Sequence, residues 1–326
     1  MTESERLFLI VAEEMSISKA AEKAFVSQQA MSAHISRLEA HYGVPLFIRR
    51  PRLALTQAGD RLAAMLRRIQ IMETAFEKEI GNESNEVTGK LTVGITYPRA
   101  TIILPMMLPE YRKKYPLVDV RIQTNVAENL ENRLLFGYLD LAISTMEVSS
   151  PQLESTVISR ETAFLVASTK TINSFFPCSL REILKRGLTM KEAAGLPLIT
   201  PTRLETFGRI ISGRFEQIQE KPNEILEMEN PDLRCQLCGK DIGATFMPTL
   251  LLPYVIRQNL VQPPENKLHI IPISDFSVSY FTYMFFHSDS YQPDYVSEFI
   301  SMYTSVSHDL EENMNRIAAD QLKGIT

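Results

Sequence analysis

Six polar side chains between Ser27 and Arg37 have the chemistry needed to contact bases in a DNA groove. Glutamine can form a bidentate contact with adenine, and serine can donate to or accept from several bases. These side chains lie off the apolar stripe of Met31, Ile35 and Leu38, which recurs with helical spacing. The polar face consists of Ser27, Gln28, Gln29, Ser32, Ser36 and Arg37. Such a face can also be ordinary solvated helix surface, so neighbouring features must decide between the two interpretations.

A cationic segment follows this predicted helix. Arg49, Arg50 and Arg52 come directly before the alternating run 53–55. This pattern is typical of a small β-hairpin, or wing. Arginines beside a helix that enters a groove can contact phosphates or a narrow minor groove. A charge run alone is usually solvated surface, but a polar helix followed by a basic wing indicates DNA binding.

Short capped helices must position these side chains. Ser18 is a candidate N-cap for a second helix, whose small residues Ala20 and Ala21 permit close helix packing. Ser27 is a candidate N-cap for the third helix, and Gly43 is its candidate end. Two short helices joined by such a turn predict a helix-turn-helix.

A long helix is predicted after the wing. Thr56 is its candidate N-cap, and the helical pattern continues to about residue 80. One side of this helix carries the apolar residues Leu62, Leu66, Ile69, Met72 and Phe76. An apolar stripe outside an obvious core predicts a dimer seam. The polar segment 81–89 is the predicted hinge between domains.

The net charge of −5 hides an asymmetry along the 326 residues. Residues 15–68 contain nine basic and three acidic side chains, so this window carries +6 and the remainder −11. A basic module on an acidic body predicts an anionic partner for the module. The longest apolar runs are too short for a membrane helix, and the acidic N-terminus has no apolar signal region. We therefore expect a cytoplasmic protein with no membrane partner.

Beyond the hinge, predicted strands alternate with predicted helices. Strands at 91–95, 118–124 and 139–144 are separated by helices at 104–115 and 130–136. This alternation predicts a parallel α/β sheet. A second α/β lobe is predicted from about residue 168, before the chain returns to the first lobe. The helix at 311–322 is predicted to be an appendage.

Several motifs of the first 80 residues occur together and in order. They are Val11-Ala12, Ser16-Ile17-Ser18-Lys19-Ala20-Ala21, Val26-Ser27-Gln28, Leu38-Glu39, Gly43-Val44-Pro45-Leu46-Phe47, Leu55-Thr56 and Ala58-Gly59. This combination resembles the N-terminal domain of LysR-type transcriptional regulators. Leu104-Pro105, Tyr115-Pro116, Gly137-Tyr138-Leu139-Asp140-Leu141-Ala142-Ile143, Ile242-Gly243 and Met247-Pro248 resemble that family's effector-binding domain more loosely. Ala33 departs from the pattern, because many members carry arginine there.

The resemblance implies an α+β protein with a helix-rich N-terminal domain and a long linker helix. The winged helix-turn-helix DNA-binding domain is placed at 1–58, and the linker, or dimerisation, helix with its hinge at 59–89. A two-lobed α/β effector-binding domain, similar to periplasmic binding proteins, is placed at 90–306. Lobe I comprises 90–167 and 268–306, and lobe II comprises 168–267. A C-terminal helical extension is placed at 307–326.

The same resemblance implies a sequence-specific transcriptional regulator modulated by a small-molecule effector. Its partners are a double-stranded DNA operator, the effector, and further copies of the chain. A dimer forms through the linker helix, and two dimers form a homotetramer. RNA polymerase is a candidate partner.

A ligand cleft between the two lobes is also implied. Ligands of parallel sheets collect where strands end and helix N-termini offer N–H groups. The candidate effector-binding residues in such places are Thr96, Tyr97, Arg99, Thr101, Thr200, Thr202, Arg203 and Phe246. Hydroxyls with two arginines suit an organic acid or another anion. The alternative is that the arginines are surface residues and the threonines only cap helices.

Cys235 and Cys238 form a C-x-x-C pair, which can be a redox pair or half of a zinc site. Because Cys178 is distant in sequence and no histidine has ligand spacing nearby, buried structural thiols are favoured and no metal is expected. The sequence has no nucleophile–base set and no glycine-rich nucleotide motif, so neither an enzyme nor a cofactor is predicted. The alternative function is a metabolite-binding protein whose basic N-terminus is a non-specific arm.

Overall fold

The computed structural model describes residues 1–80, 87–124, 127–263, 266–276, 280–288 and 292–321. The predicted hinge at 81–89 lies mostly outside these ranges. The first 80 residues form α1 (Glu3–Glu14), α2 (Ile17–Lys23), α3 (Gln28–Tyr42), β1 (Phe47–Ile48), β2 (Ala54–Leu55) and α4 (Gln57–Ile80). Strands β1 and β2 pair antiparallel, with Phe47 opposite Leu55. The predicted helix-turn-helix, wing and long helix are therefore confirmed.

Local caps set the ends of the short helices. Ser27 caps α3 by accepting a hydrogen bond from the Ala30 N–H at 3.1 Å, and Gly43 ends this helix with φ 69°. That left-handed conformation is readily available to glycine. Ser16, rather than the predicted Ser18, caps α2, because its hydroxyl accepts from the Lys19 N–H. Thr56 likewise accepts from the Gly59 N–H at 3.0 Å and begins α4.

Lobe I contains a five-stranded sheet in the order β4-β3-β5-β12-β6. Its elements are β3 (Gly89–Ile95), α5 (Tyr97–Lys114), β4 (Val118–Thr124), α6 (Ala127–Leu135), β5 (Leu141–Ser144), β6 (Leu153–Glu161) and β12 (Tyr280–His287). Strand β3 pairs in parallel with β4 and β5, whereas β12 pairs antiparallel with β5 and β6. The predicted parallel α/β arrangement is thus found in β3, β4 and β5.

Lobe II contains a three-stranded sheet in the order β10-β7-β11 and a parallel pair, β8-β9. Its elements are β7 (Ala163–Ser168), α7 (Thr169–Phe175), α8 (Leu180–Arg186), α9 (Met190–Ala194), β8 (Leu198–Pro201), α10 (Thr206–Gln217), β9 (Glu224–Met228), α11 (Pro231–Cys238), β10 (Thr245–Pro248), α12 (Pro253–Asn259) and β11 (Leu268–Pro272). A bridge between Leu198 and Ala244 joins β8 to the start of β10. Three short helices, α7, α8 and α9, fill the segment between β7 and β8.

Two strands lie in the lobe opposite to the predicted one. The sequence pattern places β7 and β11 in lobe I, within 90–167 and 268–306, but both strands pair with each other in the sheet of lobe II. The chain crosses between lobes after Glu161 and again between β11 and β12. Strands β6 and β7 are adjacent in sequence, so only long-range pairing decides which sheet each one joins.

The last helix, α13 (Asp294–Asp320), is continuous and packs against both lobes. It contacts α5 and β6 of lobe I, and β11 and the 3-10 turn Thr249–Leu251 of lobe II. Gln321 follows the helix and bonds both the N–H and the carbonyl of Ile270 at 3.0 Å. The segment from residue 307 is helical as predicted, but up to residue 321 it is not an appendage, because Leu310 and Met314 are buried against the domain. Within the described residues, no helix is long and apolar enough to cross a membrane.

Candidate nucleic-acid interface and ligand cleft

The predicted DNA-contacting face of α3 points away from the N-terminal core. Met31, Ile35 and Leu38 are buried against α1 and α2. On the opposite side, Ser27, Gln28, Gln29, Ser36 and Arg37 are exposed and Ser32 is partly buried. Gln28 and Gln29 lie in the first turn of the helix, the part of a recognition helix that reaches base edges. The structure therefore places all six side chains on or near one accessible face.

Arg49, Arg50 and Arg52 are exposed on the wing, but one of them is restrained. Arg49 Nη2 lies 3.1 Å from Glu39 Oε2. The other oxygen of Glu39 accepts hydrogen bonds from the N–H groups of Leu46 and Phe47, at 2.9 and 3.3 Å. Glu39 therefore fixes the wing against α3. Sequence reasoning included Glu39 in a motif but did not identify this positioning role, because the contact depends on how the chain turns at Gly43.

The apolar stripe predicted on α4 divides into two parts. Leu62 and Leu66 are buried in the N-terminal core, so these two residues are not available as a dimer seam. The first turns of α4 pack against α1, which explains their burial. Met72 of the predicted stripe is instead exposed, at 49%. Met65 lies outside the predicted stripe but is also exposed, at 44%, and its spacing of seven residues from Met72 places the two on one side of the helix. The side chain of Phe76 lies outside the described residues.

The N-terminus of α5 brings together the four candidates of lobe I. Thr96 is the N-cap residue, yet its hydroxyl is buried and has no hydrogen-bond partner among the described residues. Tyr97 is 59% exposed. The hydroxyl of Thr101 lies 2.6 Å from Tyr254 Oη, which also donates to the carbonyl of Pro98. Since Tyr254 belongs to α12 of lobe II, these bonds join lobe II to the N-terminal end of α5 in lobe I.

Arg99 is not free to bind a ligand, because it forms a buried ion pair with Glu161. Arg99 is 4% exposed and Glu161 is completely buried. Arg99 Nη2 donates to Glu161 Oε1 at 2.7 Å, and Thr282 links the two through bonds of 3.0 and 2.8 Å. Burial lowers the pKa of Arg99, but attraction to the Glu161 carboxylate outweighs this and raises it. Arg99 therefore stays charged although it is buried.

Glu161 also connects this ion pair to lobe II. Its second oxygen accepts a hydrogen bond from the Leu250 N–H at 3.1 Å. The residue ends β6 at the point where the chain leaves lobe I. The network thus lies at the hinge between the lobes, and sequence reasoning did not find it because Arg99 and Glu161 are 62 positions apart.

The candidates of lobe II are engaged within that lobe. The buried hydroxyls of Thr200 and Thr202 donate to Glu224 and Glu227, each at 2.8 Å, and so tie β8 to β9. Arg203 is exposed and lies 3.8 Å from Glu224. Phe246 is completely buried, with its ring 5.9 Å from that of Phe215. It therefore belongs to the lobe II core instead of lining a cleft.

Cys235 and Cys238 are buried free thiols on one helix, α11. Burial raises the pKa of Cys235 to about 12 and that of Cys238 well above its ordinary value. A thiol in this state is a poor nucleophile, because the thiolate is the reactive form. The described residues contain no cluster of histidine, cysteine and carboxylate side chains suited to a metal ion.

Residues 84–307 match the family described as LysR substrate binding domain, and residues 3–60 match Bacterial regulatory helix-turn-helix protein, lysR family. The HTH-type transcriptional regulator BbuR of Bordetella bronchiseptica is 26% identical over 243 residues, which cover 74% of this chain and 72% of that protein. The crystal structure of ArgP from Mycobacterium tuberculosis is similar in fold, with a TM-score of 0.71 at 14% identity. The match covers 94% of this chain and 97% of that one. Full-length CbnR complexed with its target DNA has a TM-score of 0.55 at 19% identity and covers 94% of this chain and 100% of that one.

Proposed function

Because this chain belongs to the LysR family of transcriptional regulators, and so combines a DNA-binding helix-turn-helix with an effector-binding domain, we propose that α3 reads its operator. The observation that carries this proposal is the exposure of Gln28 and Gln29 in the first turn of α3, opposite the buried Met31 and Ile35. In this position the two amides reach the floor of the major groove.

The wing supplies contacts to the DNA backbone. Arg50 and Arg52 are exposed and unrestrained by the Glu39 contact that holds Arg49. Their guanidinium groups meet phosphates beside the groove, which adds affinity without sequence preference. Glu39 sets the angle of the wing relative to α3, and thus positions both arginines.

Two copies of the chain pair through α4 and present two helix-turn-helix units to a two-fold operator. Exposed Met65 and Met72 support this pairing, since they leave an apolar strip along the helix. Two such dimers form a tetramer. The protein acts in the cytoplasm, where the chromosomal operator lies, and RNA polymerase is its candidate partner at the promoter.

A small-molecule effector, an organic acid or another anion, binds between the lobes. The hydroxyl of Thr96 at the start of α5, which has no partner among the described residues, supports this location, because a helix N-terminus favours negative charge. The bond between Tyr254 and Thr101 crosses from lobe to lobe, so a ligand beside it alters their separation. The dimers can be arranged on DNA in two ways. The effector shifts the equilibrium between these arrangements only because it binds the protein more tightly in one of them.

A nuclease footprint on the DNA upstream of the protein's own gene tests the proposal. The full chain is used at physiological salt with excess unrelated competitor DNA. We expect protection over several helical turns with two-fold half-sites, and its loss in Gln28→Ala. Binding that disappears with competitor, with no protected site, would instead support the metabolite-binding protein with a non-specific basic arm.

A further inference from the structure

Arg234 is a second buried arginine, and it lacks the carboxylate partner that Arg99 has. It is 2% exposed and is the largest of the fully buried side chains. Its Nη1 donates to the carbonyl of Met228 at 2.8 Å, while its Nε has no hydrogen-bond partner in the part of the chain that the structure describes. Within the described residues, no carboxylate lies within ion-pair distance of Arg234. Among the described residues, Arg99 and Arg234 are the deeply buried arginines. Arg99 contacts a carboxylate directly, whereas the carboxylate near Arg234, that of Glu205, lies beyond ion-pair distance and only partly offsets the lowering of the Arg234 pKa by burial.

The position of Arg234 in the fold directs it towards the region between the lobes. It lies in the first half of α11, which begins directly after the carboxyl end of β9. Ligands of open α/β sheets bind at this end of the strands. Tyr280, the first residue of β12 in lobe I, lies beside Arg99, whose guanidinium carbon is 5.5 Å from the ring centroid, and Tyr280 also partly offsets the lowering of the Arg234 pKa by burial. Arg234 therefore approaches, from lobe II, the hinge network that Arg99 forms from lobe I.

We propose that Arg234 binds the carboxylate group of a small organic-acid effector. The bond to Met228 occupies Nη1, so the edge formed by Nε and Nη2 remains available. The two N–H groups on that edge are parallel and match the two oxygens of a carboxylate. A buried charge without a partner is unfavourable, and an incoming anion removes this penalty. This assignment rests on the proposed effector site between the lobes and names the group that recognises the ligand there.

Access to Arg234 requires the lobes to move, because its guanidinium is covered in the described structure. Tyr254 bonds to Thr101 and Pro98 across the lobes, and α13 packs against both. Binding of a carboxylate therefore favours a different separation of the lobes from the one described. The ligand therefore binds the two separations of the lobes with unequal affinity, and only such a difference lets a ligand shift the equilibrium between them.

The test uses the purified full chain with formate, acetate and benzoate as carboxylate probes, and sulfate and phosphate as other oxyanions. Chloride at equal ionic strength is the reference. At a concentration ten times its Kd, a carboxylate should raise the Tm of the wild-type protein by about 3 °C. Arg234→Met should abolish this rise in Tm. Arg234→Lys should weaken it, because lysine retains the positive charge but lacks the two parallel N–H groups. Arg257→Met is the matched control, since Arg257 is exposed and already paired with Asp232 at 2.8 Å.

Three results would overturn the assignment. They are no saturable Tm increase with any carboxylate, an equal increase in the wild-type protein and Arg234→Met, or an increase with sulfate or phosphate but not with carboxylates. The Tm of unliganded Arg234→Met supplies a second measurement, and we expect it to equal or exceed the wild-type value because a buried unpaired charge is gone. The operator footprint separates this proposal from the general one. A protected site in both the wild-type protein and Arg234→Met, without a carboxylate response, rejects only the role of Arg234.

Discussion

Arg67 of the linker helix stacks on Tyr138 of the effector-binding domain, with its guanidinium carbon 4.2 Å from the ring centroid. Arg67 Nη1 also donates to the carbonyl of Phe136 at 3.1 Å, and the Tyr138 hydroxyl donates to Asp60 at 3.3 Å. Gly137, between Phe136 and Tyr138, has φ 65°, and a Cβ at this position would lie 3.3 Å from the carbonyl oxygen of Ala64. The loop before β5 is thus docked on α4, which joins lobe I to the helix that carries the DNA-binding unit.

The Arg67–Tyr138 contact should have a measurable coupling energy. We expect a double-mutant cycle with Arg67→Ala and Tyr138→Ala to yield about 0.5–2 kcal/mol, because the cation–π contact is partly shielded from water. Denaturant unfolding of the four proteins measures it. Arg61→Ala on the exposed side of α4 is the control and should show no coupling to Tyr138→Ala. A coupling energy of zero for the Arg67 cycle would mean that the two domains are not held together by this contact.

Loss of a base contact on α3 should weaken operator binding selectively. We expect Gln28→Ala or Ser32→Ala to cost about 1–3 kcal/mol at the specific site, with little change on unrelated DNA, because we propose that these side chains contact base edges. Fluorescence anisotropy with both DNAs measures this. Gln152→Ala, on the surface of lobe I, is the matched control. Unchanged operator affinity in both α3 variants would contradict the assignment of α3 as the recognition helix.

Loss of a wing arginine should act on all DNA sequences alike. Arg52→Ala should lower affinity for operator and unrelated DNA by similar factors, because a phosphate contact carries no sequence information. The slope of log affinity against log salt should fall by about one. Arg121→Ala, an exposed arginine of β4, should leave the slope unchanged. A sequence-selective loss in Arg52→Ala would show instead that the wing reads bases.

Removal of the charge on Glu161 should destabilise the protein strongly. Glu161→Gln leaves Arg99 buried without its ion pair, and we expect a loss of about 3–5 kcal/mol in the free energy of unfolding. Glu110→Gln provides the contrast, because the Glu110–Lys113 pair is exposed and should contribute at most about 1 kcal/mol. Denaturant midpoints measure both. Similar small losses in the two variants would mean that the hinge ion pair does not support the fold.

His269 should make stability depend on pH between about 6.5 and 4. Burial, together with the charge of Lys267, lowers the pKa of His269 to about 4, and its ring bonds Thr169 at 2.8 Å. The unfolded chain therefore takes up a proton in this range before the folded chain does, and stability falls as pH falls, by up to about 3 kcal/mol. We expect His269→Gln to remove this component from pH-dependent unfolding curves. Exposed His308→Gln is the control, and an equal flattening by both variants would contradict the prediction.

The N-terminal domain could be predicted from the sequence because the signals that determine its helices are local. The cap at Ser27, the apolar spacing of Met31 and Ile35 and the left-handed end at Gly43 all act within one helix. Helical periodicity therefore determined which face of α3 is exposed. The alternation of strands and helices after residue 90 likewise predicted an α/β domain.

Tertiary structure alone decided the contacts between segments that are distant along the chain. Strands β7 and β11 join lobe II because they pair with each other across about 100 residues, and no local pattern encodes a pairing partner. Arg99 is neutralised by Glu161, whereas Arg234 on α11 has no carboxylate partner among the described residues, although all three are ordinary charged residues in the sequence. Burial and the distance to an opposite charge depend on how the lobes pack, and these decide whether an arginine supports the fold or is available to a ligand.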